Sequence, residues 1–393
     1  GALQKQAKVL TGKPPVPSRT PQGAFGEQGT QTRLQPRGRG LVRFLKKHEF
    51  RFKIVDLDVG DINGDGKKEV VVITPTQVVV LDYQGTKFKP IARFKADNRD
   101  HRFLAVDVGD INRNGRDEIF VTNHYGEQLA SFVLETHPST RQLERIWREV
   151  NLYFRIIHPF GARPTLMAQA PGFQAPFKDP IMRYTFKGNR YVPRSKLRLP
   201  QIHGAKRMLY GLTQTNLSGD KAPETIMLDD DFHLRVYSPE GRLLVKSDDY
   251  FGRDPRTISV GVVEDISIMG PAEGATVIKD LTTVNQGEPV YFKGRLELIK
   301  QGENRYLLLP VNHSAGGELF PGFGSVENSS LAILSITREG MKKVFETQKQ
   351  SGYLAGLHSF PAQEGQPEQV LVVTVEEKTK NGGDRSLISA YAW

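Results

Sequence analysis

From Leu41 onward, short runs of β-branched and aromatic residues alternate with clusters of Gly, Asp and Asn. "VVVIT" (70–74), "VVVLDYQG" (78–85) and "FKPIARF" (88–94) predict three consecutive strands. The same triplet recurs as "EIFVTN", "LASFVLE" and "LERIWRE", then as "ETIMLDD", "HLRVYSPEG" and "RLLVKS", and again as "RYLLLPV", "SLAILSITREG" and "MKKVFET". No long stretch has the 3.6-residue period of an amphipathic helix. Many short strands between regular turn signals predict an all-β sandwich, barrel or propeller. Residues 1–40 differ. Their "TGKPPVPSRTPQGAFGEQGTQT" has Pro and Gly throughout and no period, which predicts an irregular arm or linker.

An internal repeat decides among the all-β classes. "VDLDVGDINGDGKKEVVVIT" (55–74) matches "LAVDVGDINRNGRDEIFVTN" (104–123), with Asp61 and Asp110 offset by 49 residues. A weaker copy is "YGLTQTNLSGDKAPETIMLDD" (210–230). Fainter echoes lie at 294–311, 355–374 and 153–170. A period near 45–60 residues with four strands per unit predicts a single β-propeller, whose blades bury their faces by stacking around an axis. Six blades are expected, near 53–95, 103–149, 152–200, 208–250, 290–350 and 353–393. The last shows three strands, and "LVRFLKKHEF" (41–50) is placed to supply its fourth and close the ring, removing open sheet edges. Residues 251–289 are an insertion or the remains of a seventh blade. The expected organisation is therefore a basic arm (1–40) followed by a propeller (41–393).

The repeat carries candidate chemistry. Asp61, Asn63, Asp65, Lys67 and Glu69 occupy positions 1, 3, 5, 7 and 9 of a tight loop, with Lys67 offering its carbonyl. Gly64 and Gly66 permit the wrap. Hard oxygen ligands at alternate positions describe a calcium loop, whereas magnesium demands a smaller and stricter octahedron. Asp110, Asn112, Asn114, Arg116 (carbonyl) and Glu118 form a second loop with fewer acids and weaker expected binding. Asn216, Ser218, Asp220, Ala222 and Glu224 form a marginal third. One or two structural Ca2+ ions are expected. The competing account is an ordinary Asp/Asn/Gly turn without metal.

"DVGDINGDGKKEVVV" and "DVGDINRNGRDEIFV" resemble FG-GAP/VCBS repeats, the calcium-loop propeller repeats of integrin α-subunit heads and of bacterial exported proteins. The resemblance implies the propeller fold and carries the family's calcium ligands over to the ten residues named for the first two loops. It departs at position 9, where the family usually has Asp and this chain has the longer Glu.

The rest of the sequence bounds the function. There is no Cys, which excludes disulfides, Cys-ligated metals and thiol nucleophiles. The nine His residues include no H-x-x-x-H spacing, and no G-x-S-x-G or P-loop is present. Asp229–Asp231 predicts a solvated hairpin turn. The Gly-rich stretches 312–330 and 158–177 are candidate partner contacts or flexible insertions. No apolar run is long enough for a membrane span. Residues 1–53 hold 12 basic and two acidic residues, so this segment equals the whole chain's net charge of +10 and the remainder is neutral. An anionic partner for 1–53 is one expectation and a solubilising linker the other. The neutral body disfavours nucleic acid. The expected function is a non-catalytic, calcium-braced propeller that binds a protein partner as a scaffold subunit of a bacterial cell-envelope or extracellular assembly, hence extracytoplasmic. A glycan-binding lectin-like propeller is the alternative, followed by a hydrolase or lyase with its site at the propeller mouth.

Overall fold

The computed structural model describes residues 42–84, 87–158, 163–172, 176–197, 199, 208–217, 219, 222–251, 254–258, 261–262, 285–286, 290–302, 304–314, 326–360, 368–377 and 383–393. The expected arm at 1–40 lies outside them. The chain folds into six four-stranded antiparallel blades. Strand β1 (Arg43–Phe50) is set aside for the end. Blade 1 is β2 (Asp56–Gly60), β3 (Glu69–Ile73), β4 (Gln77–Tyr83) and β5 (Phe88–Lys95), from the axis outward. Blade 2 is β6 (His101–Gly109), β7 (Glu118–Tyr125), β9 (Ser131–Thr136) and β10 (Leu143–Val150), with the short β8 (Gln128–Leu129) folded on to β7. Blade 3 is β11 (Tyr153–Ile157), β12 (Thr165–Ala170), β13 (Lys178–Lys187) and β14 (Arg190–Lys196). Blade 4 is β15 (Leu212–Thr215), β16 (Glu224–Leu228), β17 (Leu234–Tyr237) and β18 (Leu243–Lys246).

Between blades 4 and 5 the chain makes two short ladders. β19 (Thr257–Ile258) pairs with β22 (Val290–Tyr291), and β20 (Gly261–Val262) with β21 (Asn285–Gln286). The described part of 251–289 is thus an excursion and not a seventh blade. Blade 5 is β23 (Glu297–Gln301), β24 (Asn304–Ser314), β25 (Val326–Ile336) and β26 (Met341–Glu346), with β27 (Gln350–Ser351) on β25. Blade 6 is β28 (Tyr353–Phe360), β29 (Gln369–Glu376) and β30 (Arg385–Ala392), completed by β1.

That completion closes the ring. β1 runs antiparallel to β30 from Arg43 opposite Ala392 to Phe50 opposite Ser386. The Ser386 hydroxyl then accepts the Ile54 N–H at 2.8 Å and donates to the Phe52 carbonyl at 2.8 Å, fixing the turn into blade 1.

Strand chemistry follows radial position. The innermost β2 and β11 are buried at every residue, whereas the outermost β5 alternates half-buried with exposed positions. Each seam between neighbouring blades has its own apolar core. Leu57, Val70 and Leu81 meet Tyr353, Leu371 and Ile388 between blades 1 and 6. Val71, Ile73 and Val80 meet Phe103, Val106 and Phe132 between blades 1 and 2. A blade buries both faces only when both neighbours are present, so stability belongs to the ring. Among the described residues, no helix is long and apolar enough to cross a membrane.

Candidate metal loops and the charged axis

The first loop leaves β2 at Gly60 and enters β3 at Glu69. Its side-chain oxygens are wrapped by backbone N–H groups. Asp61 Oδ1 accepts from Gly64 (2.8 Å) and Asp65 (3.1 Å), and its Oδ2 accepts from Gly66 (2.9 Å). Asn63 Oδ1 accepts from Asp65 at 2.8 Å, and Asp65 Oδ1 from Lys67 at 2.9 Å. Gly64 and Gly66 have φ of 75° and 84°, the left-handed region that glycine enters at little cost. Lys67 keeps its side chain exposed. Glu69 is buried, accepting from Ile62 N–H at 2.9 Å and the Asn63 amide at 3.1 Å. Burial, reinforced by the charges of Asp65 and Asp61, pushes its pKa up to about 7 against the pull of the Ile62 hydrogen bond.

The second loop repeats the wrap with other side chains. Asp110 accepts from Asn114 (3.0 Å) and Gly115 (3.1 Å), Asn112 Oδ1 from Asn114 (3.0 Å), and Asn114 Oδ1 from Arg116 (2.9 Å). Here Glu135 of β9 gathers the amides of Asn112 and Asn114, at 2.8 and 2.6 Å, and the Arg116 guanidinium at 3.2 Å. The loop therefore has a built-in cation beside its carboxylates. Glu118 accepts from Ile111, Asn112 and the Tyr191 hydroxyl, and burial pushes its pKa up to about 7. In the third loop Asn216 caps Gly219 at 2.7 Å, and Glu224 accepts from Leu217 at 2.8 Å and pairs with Arg338. Ser218 and Asp220 lie outside the described residues.

Position 9 thus has one task in all three loops. The buried Glu69, Glu118 and Glu224 each take the N–H of position 2, clasping the loop to the start of the second strand. The donor chemistry of the first loop, all oxygen with three crowded acids, suits a calcium ion. The second is closer to self-sufficient. Among the described residues, no three His, Asp or Glu side chains already converge on one point as a metal cluster, because the carboxylates are turned on to the backbone. The first two loops also lock together. Asp61 N–H donates to Asp117 Oδ2 at 2.7 Å, Asp117 N–H donates to the Asp61 carbonyl at 2.8 Å, and Lys68 pairs with Asp117 at 3.0 Å.

Asp229 departs from the expected solvated turn. It is 2% exposed, accepts from Asp231 and His233 N–H, and pairs with Arg235 at 2.7 Å. In the stretches 312–330 and 158–177, residues 315–325, 159–162 and 173–175 lie outside the described residues.

A second set of charges lies on the axis, and the loop motif conceals it. An innermost strand has no ladder partner on its inner side, so its N–H groups need other acceptors. Asp56 and Asp58 provide them. Each accepts the N–H of the next residue on β2, and across the seam they accept Val106 (3.2 Å) and Val108 (2.8 Å) of β6. Asp107 passes the pattern on by accepting Ile156 of β11 at 3.0 Å. Arg295 closes the network, donating to the Val106 carbonyl at 2.8 Å and pairing with Asp58 and Asp107 at 3.2 Å each. Arg155 pairs with Asp107 at 3.5 Å, and His358 lies 3.1 Å from Asp58 and 3.4 Å from Glu297. Burial pushes Asp107 up to about 6 despite Arg155 and Arg295. Asp58 is equally buried, yet Arg295 and His358 outweigh that and hold it below the ordinary carboxylate range. These groups flank a cavity of about 440 Å³ at the loop end of the axis, lined by Lys68, Asp117, Arg155, His158, Arg295 and His358 among others. A cavity of about 1010 Å³ lies where β6 begins, beside His101, His124, Tyr125 and Tyr153. The available signal for the axis was Asp at alternate positions of an otherwise apolar strand, "VDLDV", and a lone Arg within "YFRII".

Residues 61–121, which span both good loops, match the FG-GAP-like repeat family. The chain carries an FG-GAP-like repeat in a β-propeller. The match covers β3 to β7, and the same loop design recurs more faintly in blade 4. No curated protein matches this sequence. Solved structures with a similar course include Raptor of Chaetomium thermophilum, at 10% identity over 89% of this chain and 28% of that one, with a TM-score of 0.42. Others are the exotype rhamnogalacturonan lyase YesX (14%, 88% of this chain and 72% of that one, TM-score 0.39) and a glucose dehydrogenase (9%, 89% and 99%, TM-score 0.46). The chain spans well under two thirds of Raptor. Likeness at this level carries no argument about this chain, and the FG-GAP match rests on residues 61–121.

Proposed function

We propose that this propeller is a non-catalytic interaction module, braced by calcium at its first FG-GAP loop and serving as a scaffold subunit of an extracytoplasmic assembly. One observation carries it: most contacts of the axial charges are with one another and with the backbone of neighbouring inner strands. Asp58 alone serves Val59, Val108, Arg295 and His358. Such groups hold a ring together and leave its loops and outer wall for partners. Asp61, Asn63, Asp65, the Lys67 carbonyl and Glu69 would hold the ion. The second loop, with Asp110, Asn112, Asn114, the Arg116 carbonyl and Glu118, would bind more weakly because Arg116 already neutralises Glu135.

The test has two arms. Melting in chelator, then millimolar calcium, then magnesium should show a rise specific to calcium, about 2.7 kcal/mol of stabilisation at a hundredfold excess over Kd. The rise should vanish in Asp61→Asn/Asp65→Asn. Photo-cross-linking residues placed at exposed Lys67, Arg113, Lys89 and Arg190 should give a discrete protein adduct in cells from at least one position. No calcium-specific rise removes the brace, and no adduct at any position removes the scaffold role.

A further inference from the structure

The hairpin β13–β14 forms the outer half of blade 3. Its turn is tight, with Gly188 and Asn189 at φ of 58° and 61° between Lys187 and Arg190. Two left-handed residues in a two-residue loop match the twist of the flanking strands. One face packs into the seam with blade 2, where Tyr191 stacks on Trp147 at 4.9 Å and meets Phe186 at 5.0 Å. By strand alternation the other face carries Arg183, Lys187 and Arg190, and the bulge between the Arg183 and Tyr184 registers adds Arg194. The neighbouring blade covers only one end of it: Ile181 packs into the seam with blade 4, whereas Lys187, Arg190 and Arg194 are exposed.

These cations lack counter-charges. Lys187, Arg190 and Arg194 are exposed, and among the described residues none has an ion-pair partner. Arg183 is half-buried and donates to the neutral amide oxygen of Gln214 at 3.1 Å, its one side-chain hydrogen bond among the described residues. Burial and then the nearby Arg194 pull its pKa down, so like charges are held close together. Charged edges also guard sheets against self-association. Other outer strands carry both kinds of charge: Arg145 of β10 sits 3.7 Å from Asp97 and Lys343 of β26 sits 3.1 Å from Glu346, whereas the ammonium groups of Lys89 and Lys95 on β5 have no ion-pair partner among the described residues. Blade 3 leaves its guanidinium groups, which suit bidentate carboxylate binding, unmatched.

β14 is also the edge of its sheet, with backbone groups on the outer side that no strand among the described residues pairs. We propose that an acidic, extended protein segment docks here, adding to β14 as a fifth strand with alternate carboxylates on Arg190, Arg194 and Lys187. Among polyanions only a peptide can use the edge and the cations together. This rests on the interaction-module reading and adds the surface and the chemistry of the partner. It involves neither the calcium loops nor the N-terminal arm.

The experiment is fluorescence anisotropy of a labelled peptide of about twelve glutamates on the full chain. It is run in chelator and in calcium, at about 50 mM and about 300 mM salt. Binding should weaken at least about tenfold in Arg190→Glu/Arg194→Glu, with melting unchanged, and stay within about twofold in Lys89→Glu/Lys95→Glu, the same charge change on the edge of blade 1. A peptide methylated at alternate backbone nitrogens, which keeps its charge, should lose binding. Equal weakening by both double variants overturns the proposal, as does full binding of the methylated peptide. Tighter binding of duplex DNA or anionic vesicles through Arg190 and Arg194 would assign the surface to a different partner. Because the assay works in chelator, its failure leaves the calcium brace untouched, and a surviving cellular adduct at Lys67, Arg113 or Lys89 would show that only the hairpin assignment has failed.

Discussion

His124 supplies a pH dependence that can be worked out in advance. It lies on β7, 1% exposed, with Arg102 at 3.5 Å from Nδ1 and the Tyr153 hydroxyl at 3.5 Å from Nε2. Burial first, and the Arg102 charge second, push its pKa from the ordinary 6.5 down to about 4. A depressed imidazole contributes stability that is fully present above the unfolded pKa and is lost as pH falls through the folded one. The window is therefore pH 6.5 to 4. A shift of about 2.5 units corresponds to about 3 kcal/mol in total, of which about 2 kcal/mol is lost between pH 7 and pH 5.

The assay is urea denaturation at pH 7 and pH 5 of the parent protein and His124→Gln, which stays neutral at both. Asp107, held near 6 by burial, works in the opposite direction, gaining stability as pH falls. It does so in both proteins and cancels in the difference. The parent should lose about 2 kcal/mol more than the variant over this range. Identical pH dependence would refute the reasoning. It would mean that the cavity beside His124 solvates the imidazolium well enough to remove the burial penalty.

Gly60→Ala should cost about 1–3 kcal/mol in urea denaturation, because the added Cβ would lie 2.1 Å from Val108 Cγ1 and 2.6 Å from Asp117 Oδ2; a neutral result would mean the seam between blades 1 and 2 is looser than drawn. Asp58→Asn should cost about 3 kcal/mol or more by the same assay, since it leaves Arg295 buried with one partner fewer; a loss under about 1 kcal/mol would show that the axial network does not hold the seam. Deleting residues 42–50 exposes the β30 edge, so size-exclusion chromatography should show self-association, and a stable monomer would refute closure by β1.

The elements legible in the sequence were those built from neighbours along the chain. Alternating strands, glycine loops and the 49-residue offset report local geometry, and they placed six blades and the closing strand. The axial network was not legible, because its members meet only once the ring has closed. Asp107 and Arg295 are 188 residues apart, and His358 reaches Asp58 from the far end of the chain. Charge behaved similarly. A neutral total over residues 54–393 averages the paired charges of the axis with the unpaired ones of β13–β14, and only the fold separates them. The seam between blades 2 and 3 was hidden for the same reason, since Trp147 and Tyr191 stack from strands a blade apart.

The two kinds of acid in the FG-GAP loops separate on this evidence. Glu69, Glu118 and Glu224 perform the same clasp in loops that differ widely in their other acids. That buried contact with the position-2 N–H holds each loop without an ion, in addition to the ligand role proposed for Glu69 in the first loop. The longer arm of Glu at position 9 is what lets the carboxylate sit in the core and still reach that N–H. What distinguishes the loops as metal sites is then positions 1, 3 and 5. There the loops diverge: Asp61, Asn63 and Asp65 face Asp110, Asn112 and Asn114, and the lost carboxylate is answered by the Arg116–Glu135 pair. Calcium dependence should therefore follow the acids of the first loop. Substituting Asp65 should abolish it while leaving the ring folded, whereas substituting Glu69 should weaken the ring with or without the ion.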